Sequence, residues 1–277
     1  MTKPRGLGLG CTVAYLLAVL TFGLAGCTAI APEVSCSRIY FSSDISALAN
    51  LVLWLDAQDY STLFSNSDCT TAQLSGAGSV GCWRDKSAAA RHFIQATPAQ
   101  TPDLAVGTFQ SLNALQFVSA RFTSLSNASS LYAATGNTVF MVLELPPNDT
   151  DRQILDGGTA GGTRRTIGAD SVALFFSGPA LFFYHSAPPS VNRVLTVIDN
   201  GTASSVQDSG NSVPTTGSVG AALGISGTPT VIGSRFSQNN YWINSKVAEI
   251  AVVQRVLTGD ELLRAQRHLE CKYGFID

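Results

Sequence analysis

Arg193-Val194-Leu195-Thr196-Val197-Ile198-Asp199-Asn200-Gly201, with Ala203 to Val206 after it, decides the fold class. Two β-rich runs flank an Asn-Gly pair, and a type I′ turn needs positive φ at both central residues, so the stretch reads as an antiparallel hairpin. Outward from it, similar runs separated by turn clusters occupy residues 51–255. Strands are predicted at Leu51–Leu55, Ala114–Phe117, Thr138–Leu145, Arg152–Leu155, Arg164–Ile167, Val172–Phe176, Leu181–Tyr184, Ala221–Ile225, Thr230–Ser234 and Val247–Val253. Asp156-Gly157-Gly158, Ser177-Gly178-Pro179 and Ser226-Gly227-Thr228-Pro229 punctuate them. No segment of helical period interrupts the series, which argues against a parallel βαβ sheet and for an all-β sandwich.

The period changes at the C-terminus. Thr258 and Glu261 have the spacing of a capping box, and Leu257 and Leu262 that of a hydrophobic staple. A helix is predicted from about Gly259 to Lys272, with Leu262, Ala265 and Leu269 on one face, His268 beside them, and Gly274 as a left-handed terminator. It is expected to pack on the sandwich.

At the other end, Lys3 and Arg5 precede an apolar run from Cys11 to Phe22 that is short for a membrane span, and Leu24-Ala25-Gly26-Cys27 closes it. This resembles the lipobox of bacterial lipoproteins, which implies cleavage before Cys27 and a diacylglycerol on its sulfur. The expected organisation is a signal peptide over 1–26, a lipid-anchored tether over 27–43 and one domain over 44–277. The expected location is the bacterial cell envelope, the outer membrane in a Gram-negative cell, with the membrane as partner through the lipid.

The formal charge is −2, so no electrostatic case for nucleic acid exists. Of the six cysteines, Cys11 leaves with the signal and Cys27 is lipidated, leaving Cys36, Cys69, Cys82 and Cys271. Four cysteines allow three pairings. Cys69 and Cys82 flank a Thr/Ser/Gly-rich loop and Cys36 and Cys271 lie near the domain ends, so 69–82 and 36–271 are the expected pairs. Zinc is the rival reading, but no C-x-x-C pair exists and His92, His185 and His268 are scattered.

Leu53-Trp54-Leu55-Asp56-Ala57 with Asp59 to Phe64, then Trp83-Arg84-Asp85-Lys86-Ser87, then Lys246-Val247-Ala248-Glu249-Ile250 through Thr258 to Lys272-Tyr273-Gly274 together resemble the concanavalin A-like lectin/glucanase superfamily, the laminin-G-like jelly rolls. Asn113 to Phe117 matches a further motif loosely, and Ala88 stands where the family has glycine. The resemblance covers residues about 44 to 275. It implies an antiparallel jelly-roll β-sandwich with the C-terminal helix packed on it, and says little about function, because such folds host binders, hydrolases and structural domains.

Hydrolases of that superfamily set two carboxylates on one strand facing a cleft. No such string occurs here: the five glutamates are Glu33, Glu144, Glu249, Glu261 and Glu270, and Pro146-Pro147 ends the strand at Glu144. Glu249 reads as a buried hydrogen-bond acceptor, and Trp54 and Trp83 as core. Gly157 to Gly162 lacks the ending of a phosphate loop and reads as a connection. No cofactor is expected, with calcium on Asp56, Asp59 and Asp85 as the candidate exception, although these carboxylates also suit ties to backbone amides. The candidate ligand segment is Arg235 to Trp242, where Arg235, Asn239, Asn240, Tyr241 and Trp242 combine rings, amides and a cation before a strand. The expectation is a non-catalytic lectin-like domain binding glycan or mediating contact with a surface protein. The alternatives are a polysaccharide hydrolase with an unrecognised site and a structural envelope domain.

Cys27→Ser is expected to release the protein from membranes, since acyl chains supply about 0.8 kcal/mol per buried methylene. Metabolic labelling with palmitate checks it, and label persisting in the variant would overturn the assignment.

Overall fold

The computed structural model describes residues 36, 43–133, 136–144, 152–158, 164–170, 173–177, 182–186, 191–211, 213–220 and 229–276. The proposed signal peptide, Cys27, most of the tether, the predicted strand at Ala221–Ile225 and the glycine run 159–162 lie outside them. In chain order the elements are α1 (Ser43–Ser46), β1 (Leu51–Asp56), β2 (Leu63–Phe64), β3 (Gly78–Ser79), β4 (Cys82–Trp83), β5 (Phe93–Ile94), β6 (Asp103–Phe109), β7 (Leu112–Phe117), β8 (Leu125–Asn127), β9 (Asn137–Glu144), β10 (Arg152–Gly158), β11 (Arg164–Ala169), β12 (Leu174–Ser177), β13 (Phe182–His185), β14 (Asn192–Asp199), β15 (Ser204–Asp208), β16 (Thr215–Gly217), β17 (Thr230–Ile232), β18 (Ser245–Val253) and α2 (Gly259–Lys272).

Among the described residues the strands form two antiparallel sheets. The first runs β16-β15-β14-β9-β18-β7-β6-β3, with β1 beside β18, and the second runs β13-β12-β11-β10-β17-β8-β5-β4-β2. The nine residues of β18 serve two partners along one edge: Ser245 to Val247 face β7, and Glu249 to Val253 face β1. Val139, Met141 and Leu143 of β9, Ile250 and Val252 of β18, and Leu195 and Val197 of β14 meet Leu155, Ile167, Phe176 and Ile232 of the second sheet in one core, to which Trp83 and Phe93 also belong.

The opposite faces of β9 and β18 are buried as well. Phe140, Val142, Ala248, Ala251 and Val253 pack with Ala265, Leu269 and Tyr273 at α2, with Leu257 just before it. Hence these central strands read as unbroken apolar runs rather than an alternation. Helix α2 has the expected bounds, but its cap differs: Thr258 makes no side-chain cap bond, and Glu261 instead takes the Arg255 guanidinium with both oxygens. Leu257 and Leu262 do share the apolar cluster, as the staple requires.

The Asn200-Gly201 hairpin joins β14 to β15, but not by a two-residue type I′ turn. Asn200 has φ −133° and Gly201 to Ala203 form a single 3-10 turn. Ser204 Oγ explains the choice: it accepts from Asn200 N at 3.0 Å and donates to Gly201 O at 3.0 Å, satisfying the longer loop. Both disulfides have the expected pairing, Cys36–Cys271 and Cys69–Cys82.

Among the described residues, the buried Arg165 and His185 make polar contacts between the sheets. Arg165 of β11 meets Asp199 of β14 at 2.8 Å, and His185 Nε2 of β13 meets Asp208 of β15 at 2.7 Å while its Nδ1 lies 2.9 Å from Thr215 Oγ1 of β16. Trp83 is fully enclosed. Trp54 is not core: Leu53 and Leu55 point inward, so the strand period turns Trp54 to the helix side, where it is partly buried. Trp83→Ala is therefore expected to cost about 3 to 5 kcal/mol through lost burial and a residual cavity, measured by urea denaturation. A midpoint near wild type would contradict this packing.

Candidate ligand-binding surface

Strand β17 ends at Ile232, and Gly233 turns the chain out of the sheet. At its φ of +92° a Cβ would stand 2.5 Å from the Phe117 ring, so only glycine fits. The loop that follows is closed at its base by Ile243 N donating to Gly233 O at 3.0 Å, and within by Arg235 N to Asn240 O at 3.2 Å and Gln238 N to Arg235 O at 2.7 Å. It is fastened to β10 twice: Gln153 N donates to Tyr241 O at 3.0 Å, and Phe236 N to Asp156 Oδ2 at 2.8 Å. Asp156 is fully buried and also takes Arg164 bidentately, at 2.9 and 3.0 Å, and the Thr166 hydroxyl at 2.6 Å.

This geometry gathers Arg235, Asn240 and Tyr241. The Arg235 guanidinium lies over the Phe236 ring at 5.2 Å and the Tyr241 ring at 5.7 Å. Asn239 instead turns to Ser237, whose hydroxyl donates to its Oδ1 at 2.5 Å. Trp242 pairs with a residue the sequence did not single out, Phe122, with ring centroids 4.8 Å apart. Phe122 is half exposed and sits in the left-handed region at φ +57° after a 3-10 turn, Ser119–Arg121. The two loops are linked by Ser119 N donating to Asn244 Oδ1 at 2.8 Å. The result is an aromatic ledge, Trp242 on Phe122, with Trp242 on the loop that also carries Arg235, Asn239 and Asn240. Arg235 Nε, Trp242 Nε1 and Asn240 Oδ1 belong to a larger set of buried side-chain atoms, among the described residues, that have no hydrogen-bond partner.

Asp56, Asp59 and Asp85 occupy different surroundings from those of a calcium site. Asp56 and Asp59 share Lys86, whose Nζ lies 3.2 and 3.0 Å away and 4.2 Å above the Trp54 ring. Asp56 also takes Lys272 at 3.0 Å. Asp85 is apart, accepting from the amides of Trp54, Ser87 and Arg91, each at 2.8 Å, and from the Ser87 hydroxyl at 2.7 Å. Among the described residues no group of three or more His, Cys, Asp or Glu is placed to hold a metal ion.

Glu249 completes that cluster. It is buried, opposite Asp56 in the β1–β18 register, and accepts from Trp54 Nε1 at 2.7 Å, Lys272 Nζ at 2.5 Å and the Tyr273 hydroxyl at 3.0 Å. Burial and then the Asp56 charge raise its pKa above the ordinary carboxylate range. Lys272, against its own burial, is held above the usual lysine value by Glu249 and Asp56. Against its partial burial, Asp59 is kept low by the Ser61 hydroxyl and Lys86.

No protein-family model and no curated protein sequence matches the chain. Solved structures do. Domain 4 of AbnA, a GH43 extracellular arabinanase from Geobacillus stearothermophilus, in complex with arabinotriose, is 12% identical with a TM-score of 0.51, over 78% of this chain and 98% of that one. A GH54 α-L-arabinofuranosidase soaked with a cyclic sulfate inhibitor is 12% identical with a TM-score of 0.54, over 80% of this chain and 62% of that one. Trypanosoma rangeli sialidase is 14% identical at TM-score 0.45, and the match spans 33% of its length. At these identities the likeness is one of fold.

Lys272→Met is expected to leave Asp56 and Glu249 facing each other and to cost about 3 kcal/mol at pH 7. Because the folded pKa of Glu249 lies above its unfolded value, the folded state takes the proton first as pH falls, so the deficit should shrink in acid. Urea midpoints of variant and wild type at pH 7 and pH 4.5 check this; a deficit that widens in acid would refute the assignment of charges.

Proposed function

We propose that the chain is a lipid-anchored cell-envelope protein whose concanavalin A-like, laminin-G-like jelly-roll domain binds glycan without catalysis. The observation that carries this reading is the ledge itself: Phe122 half exposed beside Trp242, which lies on the loop that also carries Arg235, Tyr241 and Asn240. A pyranose offers an apolar face to rings and a rim of hydroxyls to amides and cations, and the loop carries both kinds of group. The arabinanase domain of similar fold is itself held with an arabinotriose, which suits the reading without naming this chain's sugar. Envelope location rests on Cys27 and the apolar run before it.

The carboxylates favour binding over hydrolysis. Glu144 pairs with Lys246 at 2.8 Å, Glu261 with Arg255, Glu249 is enclosed by three donors, and Asp156 is occupied by Arg164, Thr166 and Phe236. A general acid and a nucleophile both need access to the glycosidic oxygen or carbon, which carboxylates committed to such partners lack.

A glycan array probed with the detergent-solubilised protein tests the reading. Trp242→Ala is expected to abolish array binding and leave the melting temperature nearly unchanged, since Trp242 stacks on an exposed ring at the surface. Retained binding, or a large fall in melting temperature, would remove the ledge as the ligand site.

A further inference from the structure

The loop of the ledge carries an arginine that no described carboxylate pairs. Asp156 is neutralised by the bidentate Arg164, whereas Arg235 has no carboxylate within salt-bridge distance among the described residues. Its charge rests on the faces of Phe236 and Tyr241, and its Nε–H is shut away from solvent with no acceptor. An unpaired buried donor on a cation is costly, and an acceptor bearing negative charge offsets the deficit most strongly. The Trp242 indole N–H in the same loop is likewise without an acceptor. A chain of formal charge −2 thus keeps an unpaired cation on the loop that carries Trp242, the partner of the half-exposed Phe122.

We propose that the ligand of this surface is an acidic sugar, one whose carboxylate or sulfate oxygens take the Arg235 guanidinium while its ring stacks on Trp242 and Phe122. The inference rests on the glycan-binding reading and narrows it. Carboxylate and sulfate satisfy a guanidinium fork alike, so the shared chemistry is an anionic substituent on a pyranose.

The test is calorimetric binding of the detergent-solubilised protein to an oligogalacturonate, to the methyl ester of the same oligosaccharide, and to a sulfated galactan fragment, each at two salt concentrations. The acidic forms are expected to bind at least about tenfold more tightly than the ester, with affinity falling as salt rises. Arg235→Gln should erase that preference and the salt dependence without lowering the melting temperature. Arg235→Lys, which keeps the charge, should retain the preference. Equal binding of acid and ester by wild type would overturn the acidic-sugar assignment while leaving glycan binding intact. An unchanged preference in a folded Arg235→Gln protein would also overturn it. Failure of every sugar here and on the glycan array would dismiss both.

Discussion

Glu249 faces helix α2 because β18 contains a register shift between Val247 and Glu249, and much of the molecule is arranged around that displacement. Without it, strand alternation would place Val247 and Glu249 on one face, in the core between the sheets. With it, Ala248 and Glu249 both turn to the helix side, while Ile250 and Val252 return to the shared core. A carboxylate enclosed between a strand and a helix has to be matched, and Trp54, Lys272 and Tyr273 do so from β1 and the C-terminal end of α2. Lys272 extends the match to Asp56, and Asp56 to Lys86, so the start of the domain, the segment after β4 and the chain end are drawn to one place. Cys36–Cys271 ties residue 36 to the neighbour of Lys272.

That cluster explains why motifs so far apart in sequence could be read together. Leu53 to Ala57, Trp83 to Ser87, Glu249 and Lys272-Tyr273 carry its members, so they are legible as a fold signature although no local rule links them. The long central strands were legible as unbroken apolar runs and α2 by its helical period, both consequences of burial. The strands missed were chiefly two-residue pairs such as Leu63–Phe64, Cys82–Trp83 and Phe93–Ile94, too short to show any period, and β6, where Gly107 at φ +65° interrupts the run. The capping box was misread because Arg255 lies closer in charge and geometry to Glu261 than the cap amide does. That Asp56 pairs with Lys86 and Lys272, and Asp59 with Lys86, was not legible, because these lysines arrive from elsewhere in the chain.

The ledge was legible by half. Its long loop announces itself as rings, amides and an arginine in a turn-rich stretch. Phe122 does not: nothing around it in sequence marks a ligand site, and its partner Trp242 lies on another loop. The only local sign is structural, a bulky residue held at positive φ, a conformation that side chains such as Phe adopt at a cost and that here points the ring outward. Gly233 belongs to the same arrangement, since the ring of Phe117 leaves no room for a side chain where the loop departs.

The division of the two sheets follows from these constraints. The first sheet buries both faces of β9 and β18, one against the second sheet and one against α2 with its ionic cluster, so its middle is committed to stability. The second sheet has its inner face fixed by the shared core and by the Arg165–Asp199 and His185–Asp208 contacts across the interface. Buried charges of this kind are costly when unmatched, and so they favour one alignment of the sheets over shifted ones. Asp156 lies beside the inward-facing Leu155 and hydrogen-bonds Thr166, whose neighbour Ile167 is also inward, so it stands on the opposite face of that sheet. The Arg235 to Trp242 loop is fastened there through Phe236. That loop is therefore carried on the face of the second sheet that the shared core does not occupy.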